Sequence, residues 1–216
     1  MMRAGMGTVK YRSSAGRRAA KSRAMAEPEL PIPEHRSRLL EGMARAVAAK
    51  GYAATTIADI VREASVSRRT FYEHFGGKNE CLIALYEAAS RNALKVLRSA
   101  IDPARPWPAQ VEQALGAYLQ CLASNPILMR TLYVEILSLG PEGLASRRRV
   151  NQEIADFMLG VVNGAGAGHA VTPQMAMAVV GGINELVLEA IEQDRVAQLG
   201  ELVGPAAQLV HAVTGK

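Results

Sequence analysis

The run Ser67-Arg68-Arg69-Thr70-Phe71-Tyr72-Glu73-His74-Phe75 places two guanidinium groups and two hydroxyls one turn ahead of three aromatic rings. That order suits donation to a polyanion. Arg68 and Arg69 can each donate in a fork to guanine O6 and N7 in the major groove of DNA. Ser67 and Thr56 both stand where helices should begin, and helix N-termini hold phosphates. Thr70 shares the first turn with the arginines, so its hydroxyl and amide would face a bound groove. Lys78 opens the next helical run and could reach a phosphate. Phe71 and Phe75, four residues apart, share one face and should bury against the preceding helices. Val66 is placed to plug the turn before them.

The elements that must position these groups follow from the apolar spacing. Leu39, Leu40, Met43 and Val47 recur at helical intervals, which predicts a first helix over 34–50 that ends at Gly51. Thr56-x-x-Asp59 is a variant of the capping box and starts a second helix. Ile57, Ile60, Val61 and Ala64 form its inner face. Ser65-Val66-Ser67 is a three-residue turn, and Ser67 caps a third helix over 68–75. Gly76-Gly77 breaks it, and a long fourth helix should run over 78–100. Two short helices at this spacing, the second opening basic and closing aromatic, read as a helix-turn-helix.

Charge supports a polyanion at one end of the chain. The formal net charge is +5, made of +5 in residues 1–33, +2 in 34–80 and −2 in 81–216. Residues 1–33 lack periodicity and end in Pro28, Pro31 and Pro33, so they read as a disordered basic arm. Arg12, Arg17, Arg18, Lys21 and Arg23 could add phosphate or minor-groove contacts there; a plain flexible tail is the alternative.

The remainder stays helical, with no convincing strand pattern. A linker over 102–108 precedes a fifth helix marked by Val111, Ala114, Leu115, Tyr118, Leu119 and Leu122. Asn125-Pro126 caps a sixth. A seventh runs over 141–163, then a glycine-alanine loop over 164–168. An eighth spans 173–193 and a last helical region 196–213, which Gly204-Pro205 should break or kink. That glycine-alanine loop has neither a preceding strand nor a Gly-Lys-Ser/Thr ending, so it is not a phosphate loop. Arg147-Arg148-Arg149 reads as a solvated face.

Other chemistries find little support. His35, His74, His169 and His211 are scattered, with no triad or metal spacing. No catalytic residue, metal site or cofactor is expected, and an all-α enzyme is a remote alternative. Cys81 and Cys121 fall at apolar positions of different helices and read as small buried residues. That usage fits the cytoplasm. No run of about 18 apolar residues predicts a membrane span, and the basic N-terminus lacks the apolar centre of a secretory signal.

Gly51-Tyr52, Thr55-Thr56-Ile57-x-x-Ile60, Ala64-Ser65-Val66-Ser67, Thr70-Phe71-Tyr72-x-His74-Phe75 and Lys78-x-x-x-Leu82 together resemble the N-terminal signature of the TetR family of bacterial transcriptional regulators. The resemblance implies an all-α fold: a three-helix helix-turn-helix DNA-binding domain (34–80) followed by a larger ligand-binding and dimerisation domain (81–216). It implies a homodimer on a quasi-palindromic double-stranded operator, usually repressing until a small molecule binds. A DNA-binding regulator without a small-molecule ligand is the alternative. Carried over by position, Thr56, Ser67, Arg68, Arg69, Thr70, Tyr72, His74 and Lys78 would touch DNA. The chain departs from the pattern twice. Ser65 stands where the family usually has Gly; if the backbone there is left-handed, Ser costs roughly 1 kcal/mol more than Gly. Arg68-Arg69 stands where Lys-Gly is common.

Two expectations follow for the C-terminal part. Val179, Ile183, Leu186, Val187 and Ala190 on the eighth helix, and Leu199, Leu202, Val203, Ala206, Leu209, Val210 and Val213 on the last, form apolar faces. They read as a two-fold four-helix dimer interface, or as ordinary core. Gly181-Gly182 would permit a close helix approach. A ligand cavity among the fourth to eighth helices could be lined by Tyr118, Met129, Tyr133, Phe157, Met158 and Met177. Few charges fall on these inner faces apart from Glu135, which favours an apolar or amphipathic ligand.

Overall fold

Side-chain caps fix where four of the helices begin. In the computed structural model, which describes residues 34–164 and 171–215, Thr56 closes a full capping box with Asp59. Ser67, Asn125 and Thr172 each accept a backbone N–H three residues on. The described residues hold nine α-helices: α1 (Glu34–Ala54), α2 (Ile57–Ala64), α3 (Arg68–His74), α4 (Lys78–Ser99), α5 (Trp107–Ala123), α6 (Pro126–Ser138), α7 (Gly140–Gly164), α8 (Pro173–Glu192) and α9 (Val203–Thr214). A 3-10 segment, Val196–Leu202, joins α8 to α9. No strand occurs among these residues. The basic arm of residues 1–33 and the loop residues 165–168 lie outside them.

Three boundaries differ from expectation. Regular α1 gives way at Gly51, where φ is +76°, and one further helical turn follows to Ala54. The linker before α5 ends at Pro106, because Pro108 needs no N–H partner in a first helical turn. Gly204-Pro205 does not break the last helix, for the same reason: both lie in the first turn of α9. The discontinuity is the 3-10 stretch before them.

The helix-turn-helix and the later helices share one core. Phe71 and Phe75, 0% and 2% exposed, sit in the same cluster as Cys81 and Leu82 of α4, Leu132 and Ile136 of α6, and Val150 of α7. A second cluster joins α4, α5 and α8 around Leu119 and Val187, and a third joins α5, α8 and α9 around Val179 and Val210. Val179, Val187, Ala190, Leu199, Ala206 and Val210 are thus buried inside the chain itself. These six are core because α8 packs against its own chain on that side, while Ile183, Leu186, Leu202, Val203, Leu209 and Val213 of the same two faces stay partly exposed. Gly182 meets α9 of the same chain, where a Cβ would lie 2.9 Å from Leu209 Cδ2, while Gly181 faces open space. By length and composition alone α8 could cross a membrane, but so can a core helix that packs as this one does.

Candidate nucleic-acid interface and helical cavity

The turn between α2 and α3 is built from backbone geometry that the sequence only partly announces. Ser65 adopts φ +52°, ψ +47°, the left-handed conformation. Its amide returns to Arg62 O at 3.1 Å and the Val66 amide reaches Val61 O at 3.1 Å, which closes α2 in a Schellman arrangement. Two arginines of α1 satisfy the carbonyls left over. Arg38 donates to Ala64 O (3.1 Å) and Ser65 O (2.7 Å), and Arg45 donates to Glu63 O (2.6 Å). At Gly42 a Cβ would lie 2.6 Å from Ile60 O and 2.9 Å from Ala64 Cβ, so α1 and α2 approach backbone to backbone.

The start of α2 is locked by charge. Asp59 accepts from the Thr56 amide (2.9 Å), the Thr56 hydroxyl (2.6 Å) and Arg62 (3.1 Å), and it is bonded to Lys50 at the end of α1. The Lys50 ammonium foremost, then Thr56, hold the Asp59 carboxyl well below the usual carboxylate range.

On this frame α3 turns one face inward and one outward. Phe71 and Phe75 go in, their rings 5.7 Å apart, and Arg36 lies over Phe75. Arg68 and Tyr72 face out; Tyr72 is 59% exposed, with only its edge against Phe71. Arg68 has no ion-pair partner among the described residues, whereas exposed Arg69 is paired with Glu73 at 3.1 Å. Thr70 Oγ1 lies 2.9 Å from Ser67 Oγ, which also accepts the Thr70 amide. Thr56 and Ser67 are exposed at neighbouring helix starts.

Two residues of the set carried over by position are turned toward the protein. His74 is half-buried, with its ring 6.5 Å from that of His35. Lys78 places its ammonium 4.2 Å from the centre of the Tyr52 ring and donates to Tyr52 O at 3.0 Å. The Tyr52 hydroxyl continues to Asn79 Oδ1 at 2.6 Å. Burial first, then the Glu135 carboxylate, push the Tyr52 phenol up to about 12.

The helical body contains three adjoining hollows. Tyr118, Met129 and Tyr133 line one between α4, α5, α6, α7 and α8, with about 510 Å³ of unfilled space, its open mouth included. Phe157 and Met158 line another, of about 550 Å³ counted the same way, walled by α4, α5, α7, α8 and α9. Met177 borders neither. A smaller hollow lies between them, and Ile154 borders all three. The six residues read from the sequence as one lining are therefore divided.

Several polar residues of the first hollow were not visible in the sequence pattern. Tyr133 donates to Asn184 Oδ1 (3.3 Å), and Asn184 donates to Asn151 Oδ1 (3.0 Å). Arg147 also lines this hollow, unlike its neighbours in the triple-arginine run. Arg149 instead pairs with Glu87, as Ser146 does. Burial pushes the Tyr118 phenol up to about 12, and burial raises Tyr86 and Tyr133 as well, so all three remain neutral O–H donors.

The cysteines differ from each other. Cys81 is fully buried, and burial pushes its thiol up to about 12. Cys121 is only half-buried, with Asn92 Nδ2 at 3.8 Å, because its position on α5 lies at the margin of the second cluster. Among the described residues no group of three His, Cys, Asp or Glu side chains could hold a metal ion.

Residues 39–85 match the family described as bacterial regulatory proteins, tetR family. The uncharacterized HTH-type transcriptional regulator YxbF of Bacillus subtilis (strain 168) is 32% identical over 77 residues, which are 36% of this chain and 20% of that protein. The matched stretch thus spans about a fifth of the length of that curated relative. Among solved structures, the fatty acid degradation regulator FadR from Bacillus halodurans superposes with a TM-score of 0.67 at 17% identity, over 83% of this chain and 95% of that one. A transcriptional regulator FadR from Bacillus subtilis in complex with stearoyl-CoA gives 0.62 at 16% identity, over 83% and 98% of the two chains. At these identities the likeness is one of fold.

Proposed function

We propose that this chain, whose residues 39–85 match the tetR family, is a DNA-binding transcriptional regulator rather than an enzyme, and that it works as a cytoplasmic homodimeric repressor released from a quasi-palindromic operator by a small molecule. The observation that carries the DNA-reading part is the two-sided α3. Phe71 and Phe75 anchor it in the core while Arg68 and Tyr72 stand free on the other side. Arg68 is the base reader, since its guanidinium has nothing to give up. Arg69 must exchange Glu73 for a base or phosphate. Thr56, Ser67 and Thr70 contribute hydroxyls toward the backbone phosphates. His74 and Lys78 act chiefly by holding the ends of α3 and α4.

Dimerisation draws support from the side of α8 that the chain leaves uncovered. Met175, Ala178 and Glu185 are exposed there, and Gly181 offers open space for a second helix. Small residues at that point let two helices approach closely, and a two-fold axis through α8 and α9 would form a four-helix seam. Two recognition helices would then sit about 34–36 Å apart on the operator. An effector in the helical hollows would tilt α4, whose first residue is Lys78, and change that spacing.

Selection of bound fragments from a random DNA pool tests the reading directly. The expected product is a two-fold repeat that binds the wild type and fails to bind Arg68→Ala or Tyr72→Ala proteins of unchanged helicity. A pool that yields no enriched sequence, or variants that bind it undiminished, would end the reading. Light scattering should return twice the chain mass.

A further inference from the structure

We infer that the effector is a linear amphipath: its anionic head lies against Arg147 in the polar hollow, and its apolar tail passes Ile154 into the hollow beyond. This inference rests on reading the helical hollows as the effector site and names the chemistry they select.

The linings differ in kind. The polar hollow presents Arg147, Ser90 and the Asn151–Asn184 pair alongside the hydroxyls of Tyr86, Tyr118 and Tyr133. The hollow beyond is bordered by Val111, Phe157, Met158, Val161, Val179 and their apolar neighbours, with no charged side chain. Arg147 is the one charged residue lining any of the three hollows, and no carboxylate borders them. Among the described residues Arg147 has no ion-pair partner, and it is half-buried although the two arginines that follow it, Arg148 and Arg149, are exposed. Arg147 shares the lining of this hollow with Tyr86 and Tyr133, and its positive charge opposes the effect of burial on their phenols. A partly buried guanidinium among neutral O–H donors is a receptor for an anion. One such charge matches a monoanion, a carboxylate, better than a polyphosphate.

The shape supplies the second half. Along α7, Arg147, Val150, Asn151, Ile154, Phe157, Met158, Val161 and Val162 all border the hollows in turn. They form one stripe at helical spacing, and at 1.5 Å per residue it runs about 22 Å from the charged end to the apolar end. Ile154 and Asn184 border the narrow part, and Leu97, Leu115, Val180 and Ile183 line both it and the apolar hollow. A compact ligand would occupy one hollow. A long unbranched chain is the shape that uses the whole stripe, and each added methylene it buries adds affinity.

Calorimetric titration of the purified full-length protein with defined probes tests this. Decanoate should bind at least tenfold tighter than decanol, and palmitate tighter than octanoate. Arg147→Met should weaken decanoate about tenfold to hundredfold, as loss of a charged hydrogen bond does, and leave decanol unchanged. Arg147→Lys should fall between. Ile154→Trp, which fills the narrow part, should remove the advantage of palmitate over octanoate while octanoate still binds. Equal binding of decanoate and decanol, or a preference that survives Arg147→Met, would overturn the head assignment. An undiminished palmitate advantage in Ile154→Trp would overturn the path of the tail. Palmitoyl-CoA distinguishes the source of the chain: tight, Arg147-independent binding would place the head outside the hollow and overturn the carboxylate. Operator selection on the same preparations separates the two readings. An operator found with no amphipath bound refutes this inference alone; Arg147-dependent palmitate binding with no operator refutes the regulator reading alone.

Discussion

The Lys78 ammonium lies 4.2 Å from the centre of the Tyr52 ring and donates to the Tyr52 carbonyl at 3.0 Å. The first residue of α4 thus clasps the turn that ends α1, just beyond the left-handed Gly51. A cation–π contact contributes about 0.5–2 kcal/mol and a charged hydrogen bond about 1.5–3 kcal/mol, with part of each lost to solvent at this half-exposed site. Lys78→Met should therefore lower the unfolding free energy by about 1 kcal/mol in a urea titration. If the ammonium keeps this role on DNA, the slope of log K against log salt should not change. A fall of about 0.9 would show that it had moved to a phosphate.

Arg68 and Tyr72 should separate binding from folding. Arg68→Ala is expected to lose about 1–3 kcal/mol of operator affinity by fluorescence anisotropy, with the loss concentrated at one base pair of each half-site. Neither Arg68→Ala nor Tyr72→Ala should move the urea midpoint appreciably, because both side chains are exposed. Arg69→Ala should cost less affinity than Arg68→Ala, since Glu73 already competes for that guanidinium.

The left-handed Ser65 makes a two-way prediction. Ser65→Gly removes a Cβ strain of roughly 1–2 kcal/mol but adds unfolded-chain freedom of about 0.4–1 kcal/mol, so stability should rise slightly. Ser65→Val places a β-branched residue at φ +52° and should destabilise by more than 1 kcal/mol, on the order of the strain in that region. Thermal melts of the three proteins give the order Gly, Ser, Val.

Gly42 should tolerate nothing larger. Alanine there would meet Ile60 O at 2.6 Å and the Ala64 amide nitrogen at 2.8 Å, and both are backbone atoms that cannot rotate away. Gly42→Ala should cost about 1–3 kcal/mol by overpacking and weaken operator binding as α2 shifts. Denaturant and anisotropy measurements on one sample check both effects.

Asp59 gives a pH dependence with a definite sign. Its carboxyl is held below the ordinary range by Lys50 and Thr56, so the folded state binds the proton less readily than the unfolded chain. The stability it contributes is complete above the usual carboxylate range and is lost as pH falls below it. Asp59→Asn should melt lower than the wild type at neutral pH, and the gap should narrow in melts taken stepwise toward pH 3. A gap that stays constant would remove the charge from the explanation.

The helix-turn-helix end was largely legible in the sequence because it is built from local rules. Thr56 and Ser67 cap the helices that follow them, and Phe71 and Phe75 share the face that buries. What escaped depends on partners distant in the chain. Lys50 and Asp59 meet across two helices, and the Lys78 ammonium is drawn to a ring twenty-six residues earlier. Periodicity reports that a helix has an apolar face, but not whether its own chain or another covers it, so Val179, Val187 and Ala190 of α8 read equally as seam or as core. Polar cavity residues share the letters of surface residues. Arg147 differs from Arg148 and Arg149 only in its angular position on α7, and Asn151 and Asn184 pair only once α7 and α8 are packed.

Phe71 of α3 and Val150 of α7 belong to one unbroken cluster. The two ends of the molecule therefore cannot rearrange as separate bodies, and what happens at one must be felt at the other as work. An effector that prefers the arrangement of α6 and α7 disfavoured by operator binding, as proposed above, would weaken operator binding by some factor, and the operator would weaken effector binding by the same factor. Promoter DNA in excess should thus read out as a lower affinity for the small molecule, a measurement that needs no knowledge of which genes the protein governs.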